Sequence, residues 1–265
     1  MLLSIKRHRL RDRAINRSDF KDHFSGHAQS YAKYRPNYPD KLFKFLSHSA
    51  PSTDIAWDCA TGSGQSAISL KTYFKQVFAT DASEQQIANA KKLEGIEYRV
   101  AVAENSGLAT GSCDLICVAQ AAHWFDLNQF YKECDRVSKP DCLVALWCYQ
   151  LFSISPAIDE LVFRLYSQVL GDFWPAERRL VEDGYASMPF PYKPLATPKF
   201  SMTKDWDLNT VMGYLSSWSA CHRYQASTGE SPLTSFSEEM SKLWGPSDQI
   251  RSVNWPLHLK VGVVK

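Results

Sequence analysis

No stretch of the chain approaches the roughly 18 to 20 uninterrupted apolar residues of a membrane-spanning helix, which argues against a membrane-embedded role. Internal repeats and low-complexity tracts are absent, and the seven cysteines contain no Cys-x-x-Cys pair. An odd number of cysteines set mostly within apolar runs points to reduced thiols in a cytosol-like compartment, so a cytoplasmic location is expected. Charge of one sign is also scarce, since 30 Lys and Arg against 28 Asp and Glu leave a formal +2 over 265 residues. Residues 1–21 hold seven bases (Lys6, Arg7, Arg9, Arg11, Arg13, Arg17, Lys21) against Asp12 and Asp19, which leaves the rest slightly acidic. A protein that neutralises many phosphates carries a stripe of bases on its body. None is visible, and nucleic acid is not the expected partner.

Residues 1–22 lack the apolar core of a signal peptide. Their Arg-rich composition is open to a transit peptide, and the reading adopted is a solvated, disordered tail. Residues 23–265 are read as one domain, monomeric or homodimeric, because this length is within reach of a single α/β core with an elaborated cap.

What the chain does have is alternation of short apolar strands with helical segments, the pattern of a mostly parallel sheet. Strands are expected at Ile55 to Cys59, Val77 to Thr80, Glu97 to Ala101, Asp114 to Ala119, Leu143 to Trp147 and Leu257 to Val264. Helices are expected at Ser66 to Phe74, Glu84 to Lys92 with Ser83 as N-cap, Leu127 to Val137, Pro156 to Leu170, Leu208 to Ser217 and Ser235 to Trp244. Pro175, Pro189, Pro191, Pro194 and Pro198 predict irregular backbone over residues 171–198. A cap inserted at about 148–245 follows.

The chemistry gathers at Asp58-Cys59-Ala60-Thr61-Gly62-Ser63-Gly64, where an acid ends a buried strand and glycines precede a helix. Glycines let the backbone approach a ligand closely. Asp81, ending the next strand, lies at the spacing of a ribose-binding acid. These features suit any nucleoside-bearing cofactor, NAD(P) included, and Asp81 could instead cap the following helix.

A longer set of motifs separates the readings. Trp57 to Gln65 resembles motif I of class I S-adenosylmethionine-dependent methyltransferases of the type 11 group. Phe24-Ser25-Gly26-His27 with Tyr31, and Tyr34 to Pro39, resemble that group's N-terminal segment. Ala119-Gln120-Ala121-Ala122-His123-Trp124-Phe125 resembles its motif after the fourth strand, and Trp174 to Arg179 and Tyr214 to Ser219 resemble its cap. The similarity is greatest to trans-aconitate methyltransferase-like proteins. It implies a Rossmann-like α/β fold with a seven-stranded, mostly parallel sheet, an antiparallel last strand and a helical or irregular cap. S-adenosylmethionine is the cofactor implied, and a small molecule the acceptor.

Residue by residue, the resemblance implies that Asp58 and the backbone of Ala60, Thr61, Gly62 and Gly64 hold the methionine portion of that cofactor. Asp81 takes the ribose hydroxyls, Ala82 borders the adenine, Ala103 and Glu104 sit on its edge, and Gln120 faces it. Tyr31 and Arg35 close over its amino-acid end. Ala60 stands where the motif usually has its first glycine, so a negative φ is expected there. His123 is the candidate base, should the acceptor need one, and Trp124, Tyr192 and Trp218 are candidate acceptor contacts. The cap also supplies Trp174, Arg178, Arg179 and Tyr185 as wall residues for an organic acid methylated on its carboxylate. His23 and His27 have i, i+4 spacing but no third ligand, so no metal is expected. Two other classes stay open, an NAD(P)-dependent oxidoreductase and a catalytically silent S-adenosylmethionine-binding protein.

Overall fold

The computed structural model describes residues 34–264. The expectations for the leader, for Phe24 to His27, for His23 and for Tyr31 lie outside the described residues. Five parallel strands form the centre of one sheet: β1 (Ile55–Cys59), β2 (Gln76–Asp81), β3 (Ile96–Val100), β4 (Cys113–Ala119) and β5 (Ser138–Tyr149). The chain steps outward from β1 to β3 and then returns to pair β4 with the other side of β1. That reversal makes a crevice at the C-terminal ends of β1 and β4, the place where open α/β sheets bind ligands.

Three more strands follow: β6 (Lys193–Pro194), β7 (Phe200–Trp206) and β8 (Arg251–Val263). β8 runs antiparallel beside β5, as expected for the last strand. β6 and β7 both pair with β8 on its far side, so two segments share the seventh place and the sheet has eight strands rather than seven. Pro194 and Pro198 account for the break, because proline has no N–H to continue a ladder.

Around the sheet lie α1 (Asp40–Ser49), α2 (Gln65–Lys71), α3 (Glu84–Asn89) and α4 (Leu127–Val137). The cap adds α5 (Pro156–Arg164), α6 (Arg178–Glu182), α7 (Leu208–Ser216), α8 (Ser219–Thr228) and α9 (Thr234–Trp244). Side chains alternate between the two faces of a strand, and β5 shows the consequence. Leu143, Ala145, Trp147 and Tyr149 face one core with α1, α2, α5 and the later cap helices, whereas Cys142, Val144, Leu146 and Cys148 face the other with α4 and Tyr185. Trp57 and Trp147 are fully buried, and burial of such side chains contributes about 1.5 to 3 kcal/mol each. All seven cysteines are free and buried.

Several elements depart from expectation for local reasons. β5 begins five residues before Leu143, because the pairing with β4 slips past Pro140 and a left-handed Asp141 (φ 62°) in a bulge. The helix from Pro156 widens into a π turn at Leu165–Val169, which carries Tyr166 towards the cap. β7 escapes notice because only Met202 along it is buried, and α8 because only Ala220 and Cys221 are.

Candidate active site

The loop between β1 and α2 is built by backbone shape. Gly62 and Gly64 are left-handed (φ 58° and 90°), and so is Ala60 at φ 54°, against the negative value expected. A left-handed alanine costs roughly 1 to 2 kcal/mol. Here it is held by its neighbours, since Thr61 N–H donates to Thr80 O at 2.9 Å and Gly64 N–H to Thr61 O at 3.0 Å. Gly64 has a second reason to lack a side chain: an added Cβ would lie 2.9 Å from the Tyr98 ring. Above Gly62 there is space, with Gln86 Oε1 at 4.0 Å the nearest atom to a hypothetical Cβ. The turn is therefore an open cradle at one end and a tight helix contact at the other.

Asp58 shares a strand face with Ala56 and is fully buried. Its carboxylate accepts from Thr61 Oγ1 and from Cys117 Sγ, the latter at 3.7 Å. Burial outweighs these donors and raises its pKa from 3.8 to about 7. The side chain expected to reach the methionine portion of a cofactor instead sits behind the turn and shapes it. Asp81 is different. Half-buried at the end of β2, it accepts Gly62 N–H on Oδ2 and Ser83 N–H on Oδ1, each at 2.9 Å. Ser83, not Asp81, caps α3, accepting from Gln86 N–H. An ionised carboxylate offers about four acceptor sites, so this geometry suits a pair of ribose hydroxyls over the Gly62 cradle.

Ala82 is half-buried beside Asp81 and Ala103 is buried, while Glu104 accepts the Asp126 backbone N–H at 3.0 Å and so ties that rim to the start of α4. Gln120, left-handed at φ 58°, ends β4 and holds Tyr149 by both backbone groups, accepting from its N–H at 2.7 Å and donating to its carbonyl at 3.2 Å. That double bond extends the β4–β5 pairing into the crevice. Tyr149 was not among the expected residues, although its place just past the apolar run of β5 marks a ligand-facing sheet edge.

A cavity opens at this edge, and it joins residues from distant parts of the chain. Arg35, Gln120, His123, Trp124, Trp174, Arg178, Tyr214, Trp218 and His222 are in its wall. Arg35 donates to Tyr149 Oη at 2.7 Å and lies 5.4 Å from the Tyr214 ring centre. Arg178 lies 4.9 Å over the Trp174 ring and donates to Tyr166 Oη at 3.0 Å. Cation–aromatic stacking of this kind holds a guanidinium in place without neutralising it. Among the described residues no Asp or Glu lines the cavity, and Arg35 and Arg178 bring positive charge to its wall. Tyr192 is elsewhere: its hydroxyl bonds Tyr131 O and Asp135 on the opposite face of the sheet, packed with Tyr131 and Phe190. It is corrected from acceptor contact to core residue, and Arg179 is exposed. His222 escaped notice because α8 did.

His123, in a 3-10 turn after β4, is buried and bonds Tyr185 Oη through Nδ1 at 2.9 Å. Burial, and then the nearby Arg178 charge, lower its pKa to about 3. A general base works best with a pKa near the operating pH, so this setting disfavours the base role expected from sequence. Among the described residues there is no helix long and apolar enough to cross a membrane.

The comparisons with known proteins agree with this architecture. A methyltransferase domain family matches residues 57–146, from β1 to β5. A Dictyostelium discoideum protein named as a methyltransferase is 34% identical over 247 residues, covering 91% of this chain and 94% of its own. The solved structure of a type II methyltransferase from Anaeromyxobacter dehalogenans superposes with a TM-score of 0.82 at 38% identity, over 87% of this chain and 98% of that one. CRG1 of Saccharomyces cerevisiae, described as an S-adenosylmethionine-dependent methyltransferase, is 26% identical over 45% of this chain and 44% of its own. With the cradle, Asp81 at its edge and the switch-point cavity in place, these relationships show that the chain belongs to the class I S-adenosylmethionine-dependent methyltransferases.

Proposed function

We propose that the methyl acceptor is a small organic acid, methylated on its carboxylate. The observation that carries this reading is the wall of the switch-point cavity, which presents Arg35 and Arg178 beside aromatic rings and, among the described residues, no carboxylate. A guanidinium fork matches a carboxylate in shape and charge. Trp174, Tyr214 and Trp218 supply flat apolar walls that exclude water around it. On the cofactor side, Asp81 and the Gly62 cradle hold the nucleoside, Ala82, Ala103 and Glu104 border the base, and Gln120 with Arg35 sits where the two halves meet.

S-adenosylmethionine, when bound, supplies an electrophilic methyl group. The task left to the chain is alignment, which can lower a barrier by about 7 to 11 kcal/mol. A carboxylate, with a pKa near 4, is already ionised at neutral pH and no side chain need remove a proton. The attacking oxygen pair forms the ester bond as the carbon–sulfur pair returns to sulfur, so an anion and a cation become two neutral products. Charge that disappears on reaction is favoured by a poorly hydrated cavity, while the fixed donors bind and orient the acid. The test is a methyl-transfer screen of carboxylic acids, each paired with its primary amide. Turnover of acids and not amides is expected; turnover confined to amines or alcohols would sink the reading.

A further inference from the structure

We infer that His123 is a neutral hydrogen-bond donor to the acceptor, through Nε2–H, and that Tyr185 is the positioning residue that fixes this tautomer; the inference rests on the acid-acceptor reading above. The Tyr185 side chain is fully buried, and the side-chain partner of its hydroxyl is His123 Nδ1 at 2.9 Å. A buried O–H left without an acceptor is costly, so the phenol proton is given to that nitrogen. A neutral imidazole carries one proton, and the bond at one nitrogen decides where it sits. Nδ1 is thus the acceptor and the proton is on Nε2.

The ring is also prevented from taking a second proton. Behind it are Tyr185 and, beside that, Cys148, both with ionisation pushed up by burial. In front is Arg178 from α6, and among the described residues no carboxylate lines the cavity. Among the described residues Nδ1 has Tyr185 and Nε2 has no protein partner, while the residue itself lines the cavity. Tyr185 is left-handed (φ 62°) and follows a left-handed Gly184 whose Cβ would lie 2.6 Å from the His258 ring. The turn after α6 is therefore shaped to deliver this hydroxyl. The consequence is selectivity as well as orientation. A carboxylate oxygen is welcomed by Nε2–H, whereas an ammonium or amide N–H placed there would face donor against donor.

The tautomer can be read on the full chain without any acceptor, by nitrogen NMR of protein labelled at histidine nitrogens. The expected signature is a single Nε2–H imidazole, unchanged from about pH 5 to 8; Nδ1–H, or an imidazolium titrating near 6.5, would overturn the inference. Tyr185→Phe keeps the ring volume and removes the donor, and should leave a folded protein with mixed tautomers. A pure Nε2–H form in that variant would remove Tyr185 from the role. Kinetics with the best acid from the screen then test the donor. His123→Leu should raise its KM about 10- to 100-fold, whereas His123→Gln, which restores an N–H near the Nε2 position, should recover most of that loss. Equal KM in His123→Leu and the parent would overturn the donor role. Should no acid be turned over, the acceptor reading fails while the NMR result stands by itself.

Discussion

The two halves of the crevice are assembled in opposite ways. The half proposed for the cofactor is local: Asp58, Thr61, Gly62 and Asp81 lie within two βα units and are joined by hydrogen bonds. The half proposed for the acceptor draws on residues from Arg35 to His222 and is joined mainly by tilted and edge-to-face ring contacts, with Trp174 and Trp218 5.6 Å apart and Tyr214 and Trp218 6.0 Å apart. Their buried titratable groups differ as well. One half keeps a carboxylic acid with a raised pKa and the other an imidazole with a lowered one. A glycine turn has to be rebuilt almost unchanged wherever a nucleoside is bound, whereas a cap can be lined by any chain segment that reaches it.

The largest effect that separates the halves is the pH dependence of stability. Asp58, near 7 when folded and about 3.9 unfolded, holds a proton in the folded chain that the unfolded chain has lost. Its contribution is fully present below about pH 4 and is lost as pH rises through 7. His123 runs the other way. It is near 3 when folded and about 6.5 unfolded, so its contribution is present above pH 6.5 and is lost as pH falls towards 3. Each shift corresponds to up to about 4 kcal/mol, and between pH 4 and 6.5 they oppose. Asp58→Asn should therefore make the protein lose stability more steeply in acid, and His123→Gln should make it gain. Urea melts at pH 4.5 and 7 read this out, and parallel slopes in both variants would show that neither group behaves as described.

Next in size are two binding changes that should not cross over. Asp81→Ala should weaken S-adenosylmethionine binding by about 1.5 to 3 kcal/mol, the range for hydrogen bonds to a charged group, with the KM of the acid little changed. Arg178→Met should raise that KM by a similar factor and leave cofactor affinity within about twofold. Calorimetry and steady-state kinetics on the same preparations decide it. An equal loss of cofactor affinity in both variants would mean that the halves are one energetic unit.

Legibility followed the same division. The central sheet, its crevice and Asp81 were readable because strand runs such as Ile55 to Cys59 are continuous and buried, and because a glycine turn needs particular residues at particular places. Asp58 was readable as important but not as buried, since nothing in Trp57-Asp58-Cys59 says which face of the strand its side chain takes. Trp218 was named as an acceptor contact through family likeness and Arg178 entered with a cap motif; both line the cavity. Tyr192 was named from its place in the cap segment, where an aromatic near a proline cluster looks alike whether it lines a cavity or packs against Tyr131. Tyr149, Tyr185 and His222 act through distant partners, a relation that spacing along the chain cannot display.

The smallest expected effect bears on the residue that departs most visibly from the family pattern. Ala60 occupies a left-handed conformation (φ 54°) that glycine adopts without strain. Ala60→Gly should relieve roughly 1 to 2 kcal/mol of backbone strain. Against this stands the greater freedom of glycine in the unfolded chain, about 0.4 to 1 kcal/mol. The balance is a gain of up to about 1.6 kcal/mol, visible as a higher urea midpoint with an unchanged slope. Affinity for S-adenosylmethionine should not change, because the cradle's shape is set by the bonds of Thr61 to Thr80 and of Gly62 to Asp81, and both persist. A variant less stable than the parent would mean that the Ala60 methyl group packs more favourably than its strain costs. A tighter cofactor would mean that alanine distorts the turn, making the acceptor half the better preserved of the two.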